Sequence, residues 1–298
     1  MTVSPHNTPP AKWRAFVDLM KLRVVELLLV STLPAMVLAQ KGLPPLGLTI
    51  ATLIAGTLAA GSANAFNMII EADTDKLMKR TANRPLVIGS VSKNEAIIFA
   101  AILGILSLAI FQIFTETLAT VLAAIAIAFY VLVYTVGLKN RTTQNIVWGG
   151  AAGCMPVLIG WAAVTNSLSI VAWAFFAVIF FWTPPHFWAL AIKYKDDYAA
   201  ASIPMLPVIA TRTHLLRQMW LYTVAMVVSS VALFYFAELQ WWAFAINLAL
   251  GIIFAIQLLA LKEGAKNYEA AAGKIFQWSI TYLSLLSVLL VIAQLLKA

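Results

Sequence analysis

Glu71, Asp73 and Asp75 crowd one short stretch of chain, Asn67 stands one helical turn before them, and Lys76, Lys79, Arg80 and Arg84 follow. If a helix runs through the stretch, Asn67, Glu71 and Asp75 recur every four residues and form one stripe about 12 Å long. Asp73 then lies roughly 120° round the axis from Asn67. Nothing adjacent in sequence neutralises these acids, so a hard divalent cation is expected among them. Mg²⁺ prefers oxygen ligands and bridges carboxylates to phosphates, and the cations that follow suit diphosphate oxygens. The alternative is a solvated, charged helix end. Asn67 argues against it, because an amide inside an apolar run is expensive without a partner or a task. A hydrogen bond to a neighbouring helix would serve as that partner.

A second group lies at 181–198, where Trp182, Pro184, Pro185, His186, Phe187 and Trp188 lead to Lys193, Asp196 and Asp197. Two prolines in an apolar run are expected to break or kink a helix, and the freed carbonyls are tolerated beside a cavity. His186 would then point into that cavity. On a continuous helical wheel, Lys193 and Asp197 each fall about 20° from His186, so the three are expected to share a face. A packed, hydrogen-bonded histidine is the competing reading. The aromatics suit either a carbocation and a flat ligand or an interfacial belt. Between the two groups, Lys139 and Arg141 are either phosphate ligands or topology anchors.

These residues need elements to position them. The chain has 298 residues, 62% hydrophobic and 11% charged, against about a quarter charged in soluble domains. A spanning helix needs about 20 mostly apolar residues. Such runs lie near 24–40, 47–70, 96–114, 117–138, 145–164, 168–192, 215–237, 241–261 and 275–296. The first is the weakest, being short and carrying Glu26. The expected fold is an all-α polytopic membrane protein, about nine transmembrane helices in one bundle around a central cavity, forming a single domain over 1–298. With the N-terminal segment 1–22 in the cytoplasm, all but Lys41 and Lys297 of the 20 basic residues fall on the inner side, as the positive-inside rule requires. The net charge of +8 is thereby a topology signal, and nucleic acid is not expected as a partner. No small-residue cleavage pattern marks a signal peptide. The single cysteine, Cys154, and three scattered histidines exclude an intrachain disulfide and a zinc cluster. Two long inner loops, 71–95 and 193–214, share one face, and long ordered loops are usually functional.

The run Asn67-x-x-x-Glu71-x-Asp73-x-Asp75-x-x-Met78-x-Arg80-Thr81-x-x-Arg84-Pro85-Leu86 resembles the first aspartate-rich motif of the UbiA-type intramembrane prenyltransferases, in the extended form of their haem O synthase branch. The stretch from Trp182 through Pro185-His186-Phe187-Trp188 and Asp197-Tyr198 to Ile203-Pro204-Met205-Leu206-Pro207 resembles the same branch, as does Leu138-Lys139-x-Arg141-Thr142-x-Gln144-Asn145. The likeness covers nearly the whole chain. Glu71 stands where the superfamily usually has Asp, which keeps the charge. The superfamily's second D-x-x-x-D motif is absent. Only the adjacent Asp196 and Asp197 remain, a departure that favours the haem branch over quinone-type relatives.

The resemblance implies transfer of farnesyl from farnesyl diphosphate to a vinyl group of haem b, and the basic residues and short N-terminal segment favour a bacterial inner membrane over an organelle membrane, with the loops cytoplasmic. Mg²⁺ would be held by Glu71, Asp73 and Asp75, with Asn67 assisting. Lys76, Lys79, Arg80, Arg84, Lys139 and Arg141 would bind the diphosphate. Lys193, Asp197 and Trp182 would line the substrate site, and His186 would act as a base or hold haem. Arg212, His214 or Arg217 would meet the haem propionates. A haem A synthase or a terminal oxidase would be an assembly partner. The rivals are prenylation of a quinone or other aromatic acceptor, transport through a midplane carboxylate site, and a structural role in oxidase assembly. Acceptor profiling separates the first and Mg²⁺-dependent diphosphate release the second, while a structural role needs no acid–base cluster.

Overall fold

The computed structural model describes residues 11–262 and 267–297, without the side chains of residues 23–29. Residues 1–10 of the expected N-terminal segment, Lys266 and the side chain of Glu26 lie outside that description. Short helix α1 (Lys12–Met20) leads through Lys21, in left-handed backbone conformation, into α2 (Leu22–Gln40). The long helices α3 (Leu46–Asp75), α4 (Lys93–Phe114), α5 (Thr117–Ala128, continued as a π-helix over Phe129–Leu138), α6 (Asn145–Thr165) and α7 (Ile170–Lys193) follow. Short α8 (Lys195–Ala200) and α9 (Leu206–Ile209) link α7 to α10 (Arg212–Phe236), α11 (Trp241–Leu258) and α12 (Tyr268–Lys297).

Among the described residues, eight helices are long and apolar enough to cross a membrane, and α2 adds a shorter apolar stretch over Val30–Gln40. The protein is therefore an all-helical, multi-pass membrane bundle. Short connections join α4 to α5 (Thr115-Glu116) and α6 to α7 (166–169), whereas the long segments 76–92 and 194–211 join α3 to α4 and α7 to α10. α7 is central, packing on α6, α10 and α12, while α2 packs on α6 and α3 on α4. Lipid supplies little drive for helix association, so small residues let backbones approach. A Cβ at Gly150 would stand 2.8 Å from the Thr183 methyl of α7, and one at Gly160 would stand 2.9 Å from Thr32 of α2.

Two local features differ from the sequence expectation. First, α7 continues unbroken through Pro184 and Pro185. Proline's φ is helical, its lost donors are tolerated where neighbouring helices enclose the backbone, and both prolines are buried. The helix does end after Lys193, at Tyr194, so the wheel does not extend to Asp197, which sits in α8. Second, the apolar run at 117–138 is α-helical only in its first half. The π-segment bonds across five residues, from Lys139 N to Tyr134 O and from the Thr135 hydroxyl to Tyr130 O. π-turns of this kind cluster at functional sites.

Candidate active site

α3 runs to Asp75 as a single helix, so the stripe forms: Asn67 is 2%, Glu71 5% and Asp75 1% exposed. Asp73 is left out of it. Its side chain is 95% exposed and pairs with Lys76 at 2.7 Å, as the wheel angle requires.

No neighbour in sequence neutralises the buried acids, but the fold brings cations to them. The turns after Asp75 fold Arg84 back over it. The Thr81 hydroxyl donates to Asp75 O at 2.8 Å, and Arg84 Nη1 donates to Asp75 Oδ2 at 2.5 Å while lying 4.0 Å from Glu71 Oε2. Lys139, at the end of the π-segment, donates to Glu71 Oε1. Asn67 donates to Thr135 at 3.2 Å and accepts from Lys21 Nζ at 2.8 Å. Nothing in the sequence marks Lys21, which lies 46 positions from its partner. Burial, and next the charge of Arg84, pushes Lys21 from its ordinary 10.5 down to about 7.

After these pairings, Glu71 Oε2 and Asp75 Oδ1 remain buried without a hydrogen-bond donor. Unpaired buried carboxylate oxygens are costly. They are also the donor type a hard divalent cation takes, commonly one or two carboxylates plus substrate phosphate. The residues therefore fit Mg²⁺ as two anionic ligands with Asn67 adjoining. Among the described residues, no three His, Cys, Asp or Glu side chains gather as a complete metal-ligand set, so substrate oxygens would complete the coordination.

The end of α7 meets this cluster. Asp197 accepts from the backbone N–H groups of Lys79 and Arg80 at 3.4 and 3.1 Å. The Arg80 guanidinium lies over Tyr194 and Tyr198, 5.3 and 6.0 Å from the ring centres. Met78 packs with Ala191, Ile146 and Ile203, and Phe187 packs against that group. The acidic stripe and the Pro-His helix thus converge at one end of the bundle.

His186 is buried, and its Nδ1 lies 2.6 Å from Ser279 Oγ on α12. Trp182 stacks on its ring at 4.2 Å and donates from Nε1 to Ser279 O at 2.8 Å. Lys193 is exposed, with its ammonium 5.5 Å from the Tyr194 ring, so it does not join His186. Lys79 and Arg141 are also exposed. Nearer the helix ends, a cleft of about 150 Å³ is lined by Lys193, Lys195, Asp196, Arg212, Tyr268 and Glu269. Arg212 there lies 4.2 Å from the Tyr268 ring centre.

Fold and site together define a polytopic helical membrane protein with a buried cluster of paired acids and cations at one end of its bundle. The UbiA prenyltransferase family model matches residues 28–281, and the chain belongs to that family and is a prenyltransferase. It is 49% identical over 286 residues to a protoheme IX farnesyltransferase of Frankia casuarinae, covering 96% of this chain and 99% of that one. It is 48% identical over 289 residues to the enzyme of that name from Streptomyces coelicolor, covering 95% and 91%. A UbiA homologue from Archaeoglobus fulgidus, solved with DMAPP and Mg²⁺, shares the fold at a TM-score of 0.69 and 18% identity, covering 92% of this chain and 99% of that one.

Proposed function

We propose that the protein transfers the farnesyl group of farnesyl diphosphate to a vinyl group of haem b, giving haem O and diphosphate. Identity of 48–50% to protoheme IX farnesyltransferases along nearly the whole chain carries this reading. The paired stripe of α3, with its two unpaired carboxylate oxygens, supports the diphosphate end of it.

Glu71 and Asp75, with Asn67 beside them, would hold Mg²⁺, which when bound neutralises charge on the departing diphosphate. Arg84, Lys139 and Lys21 would hold the diphosphate oxygens as the C–O bond breaks, and a single such donor lowers the barrier by about 3–4 kcal/mol. Asp73 and Lys76 pair with each other at the surface, so we assign them no ligand role. Arg80 and Asp197 tie the loop after α3 to α8, and Lys79, Arg141 and Lys193 contribute positive field at the mouth. The apolar helices enclose the prenyl chain and keep water from the allylic cation. The vinyl carbon attacks that cation, and water then captures the cation formed beside the porphyrin, losing a proton and leaving a hydroxyl. His186 and Trp182 face this acceptor.

We read the chain as one domain in a bacterial inner membrane, with its N-terminal side and the two long loops cytoplasmic. The one-sided basic residues support that orientation. A haem A synthase or a terminal oxidase is the expected assembly partner. The test incubates purified protein with haem b, farnesyl diphosphate and Mg²⁺ and follows haem O by chromatography and mass. Prenylation of a quinone precursor with haem b untouched would overturn the acceptor assignment.

A further inference from the structure

We infer that His186 presents the lone pair of its Nε2 as an axial ligand to the iron of the porphyrin acceptor, and that Ser279 is the positioning residue that fixes it in that state. The inference rests on haem b being the acceptor.

Ser279 is fully buried on α12. Its Oγ lies 2.6 Å from Phe276 O and 2.6 Å from His186 Nδ1. A hydroxyl has one proton to give, and a carbonyl can only accept. The Ser279 proton therefore goes to Phe276 O. The opposite assignment would leave two oxygens 2.6 Å apart with no proton between them. Ser279 Oγ then accepts from His186, so Nδ1 carries the hydrogen. A neutral imidazole has a single N–H, which leaves Nε2 with its lone pair. Among the described residues, Nε2 makes no hydrogen bond.

The ring cannot easily turn away. Trp182 stacks on it at 4.2 Å and 19°, Phe276 at 4.7 Å and 29°, and Phe187 meets it edge-on at 5.0 Å and 88°. No carboxylate pairs with His186 among the described residues, so an imidazolium here would lack a counter-ion. A general base must pass through that charged state, whereas an iron ligand stays neutral. Metal-binding histidines characteristically donate their second N–H to a fixed acceptor, which sets the tautomer and raises ligand basicity. Ser279 is such an acceptor.

The test titrates the full-length protein in detergent with haem b and, separately, with metal-free protoporphyrin IX. Visible absorption and the resonance Raman iron–histidine stretch report the ligand. Wild type is expected to show an imidazole-ligated iron. His186→Ala loses that signature, and added free imidazole restores it. Ser279→Ala is expected to lower haem affinity about 10- to 100-fold and to shift the iron–histidine stretch. Its binding of the metal-free porphyrin, which also certifies its fold, stays unchanged, and Ser279→Thr, which keeps the hydroxyl, restores haem affinity. Wild type that makes haem O but shows no nitrogen-ligated iron would overturn the inference and leave the proposed function standing. So would Ser279→Ala with an unshifted stretch. Wild type that binds no haem and makes no haem O would sink the function itself.

Discussion

Asp75→Asn separates the two jobs assigned to the buried acids, because it keeps shape and removes only charge. Asp75 is 1% exposed and holds Arg84 at 2.5 Å. Removing one partner of a buried ion pair costs about 3–5 kcal/mol. Here Arg84 keeps Glu71 at 4.0 Å and is itself 17% exposed, so a smaller loss of stability, about 2 kcal/mol, is expected. If Asp75 also acts on the leaving group, the barrier rises by about 3–4 kcal/mol, a fall in turnover of roughly 10²- to 10³-fold. The double variant Asp75→Asn/Arg84→Gln tests the stability half of this reasoning, since Arg84 is itself a proposed diphosphate ligand. It removes both charges at once, so stability should return to within about 1 kcal/mol of wild type while turnover stays low. Thermal unfolding in detergent and haem O formation are read on the same samples. Turnover by Asp75→Asn within about threefold of wild type, equivalent to less than about 0.7 kcal/mol, would remove Asp75 from the chemistry. So would a double variant whose activity recovers along with its stability.

Lys21 gives the protein a pH-dependent stability. Its folded value of about 7 lies below its ordinary 10.5, so the unfolded chain holds a proton that the folded one has lost across that window. Stability should therefore rise with pH from about 7 upward and be lowest below it, where burying the charged ammonium carries its full penalty. Lys21→Met should flatten the unfolding midpoint measured from pH 6 to 9, and an unchanged slope would refute the assignment. Gly149→Ala drives a methyl into the Tyr134 ring and disturbs the π-segment bearing Thr135 and Lys139. About 1–3 kcal/mol of destabilisation is expected, with a disproportionate loss of turnover; wild-type activity would refute the coupling. Arg212→Gln should weaken haem b binding severalfold without altering the binding of its dimethyl ester, and equal losses for both would remove Arg212 from carboxylate recognition. Mg²⁺ and an unreactive prenyl diphosphate analogue should each tighten the other's binding, as isothermal titration can show.

What the sequence revealed, and what it hid, divides by the range of the interactions involved. The spans are legible because apolar runs of the required length are a local property. The stripe of Asn67, Glu71 and Asp75 is legible because helical spacing is local too, and the same wheel places Asp73 outside it. Of the cations that balance the stripe, Arg84 and Lys139 stand out by sequence only as phosphate ligands, not as partners of these acids, and Lys21 does not stand out at all. Lys139 lies 68 positions from Glu71 and Lys21 lies 46 from Asn67, so only the packing of α1, α3 and the π-segment reveals them. The π-segment itself carries no spacing signal, since its apolar residues suit an α-helix equally well. Pro184-Pro185 misled for the same reason. The rule that proline breaks a helix describes backbone left to itself, and here α6, α10 and α12 enclose it. His186 was found by type and neighbours, but its partner Ser279 lies 93 positions on, with no motif to mark it.

The balanced charges explain why metal and diphosphate should arrive together. Glu71 and Asp75 face Arg84, Lys139 and Lys21, two negative groups against three positive ones when Lys21 is protonated. A prenyl diphosphate brings about three negative charges at neutral pH. Added alone it would leave the buried cluster with an excess of about two negative charges, and a divalent cation added alone would leave about three positive, both severe penalties at low dielectric. Together they bring the total near zero. A single Mg²⁺ would suffice for that balance. Mg²⁺ binding to the free protein as tightly as in the presence of the analogue would contradict this charge count, because the free site would then have to absorb two uncompensated positive charges beneath the membrane surface.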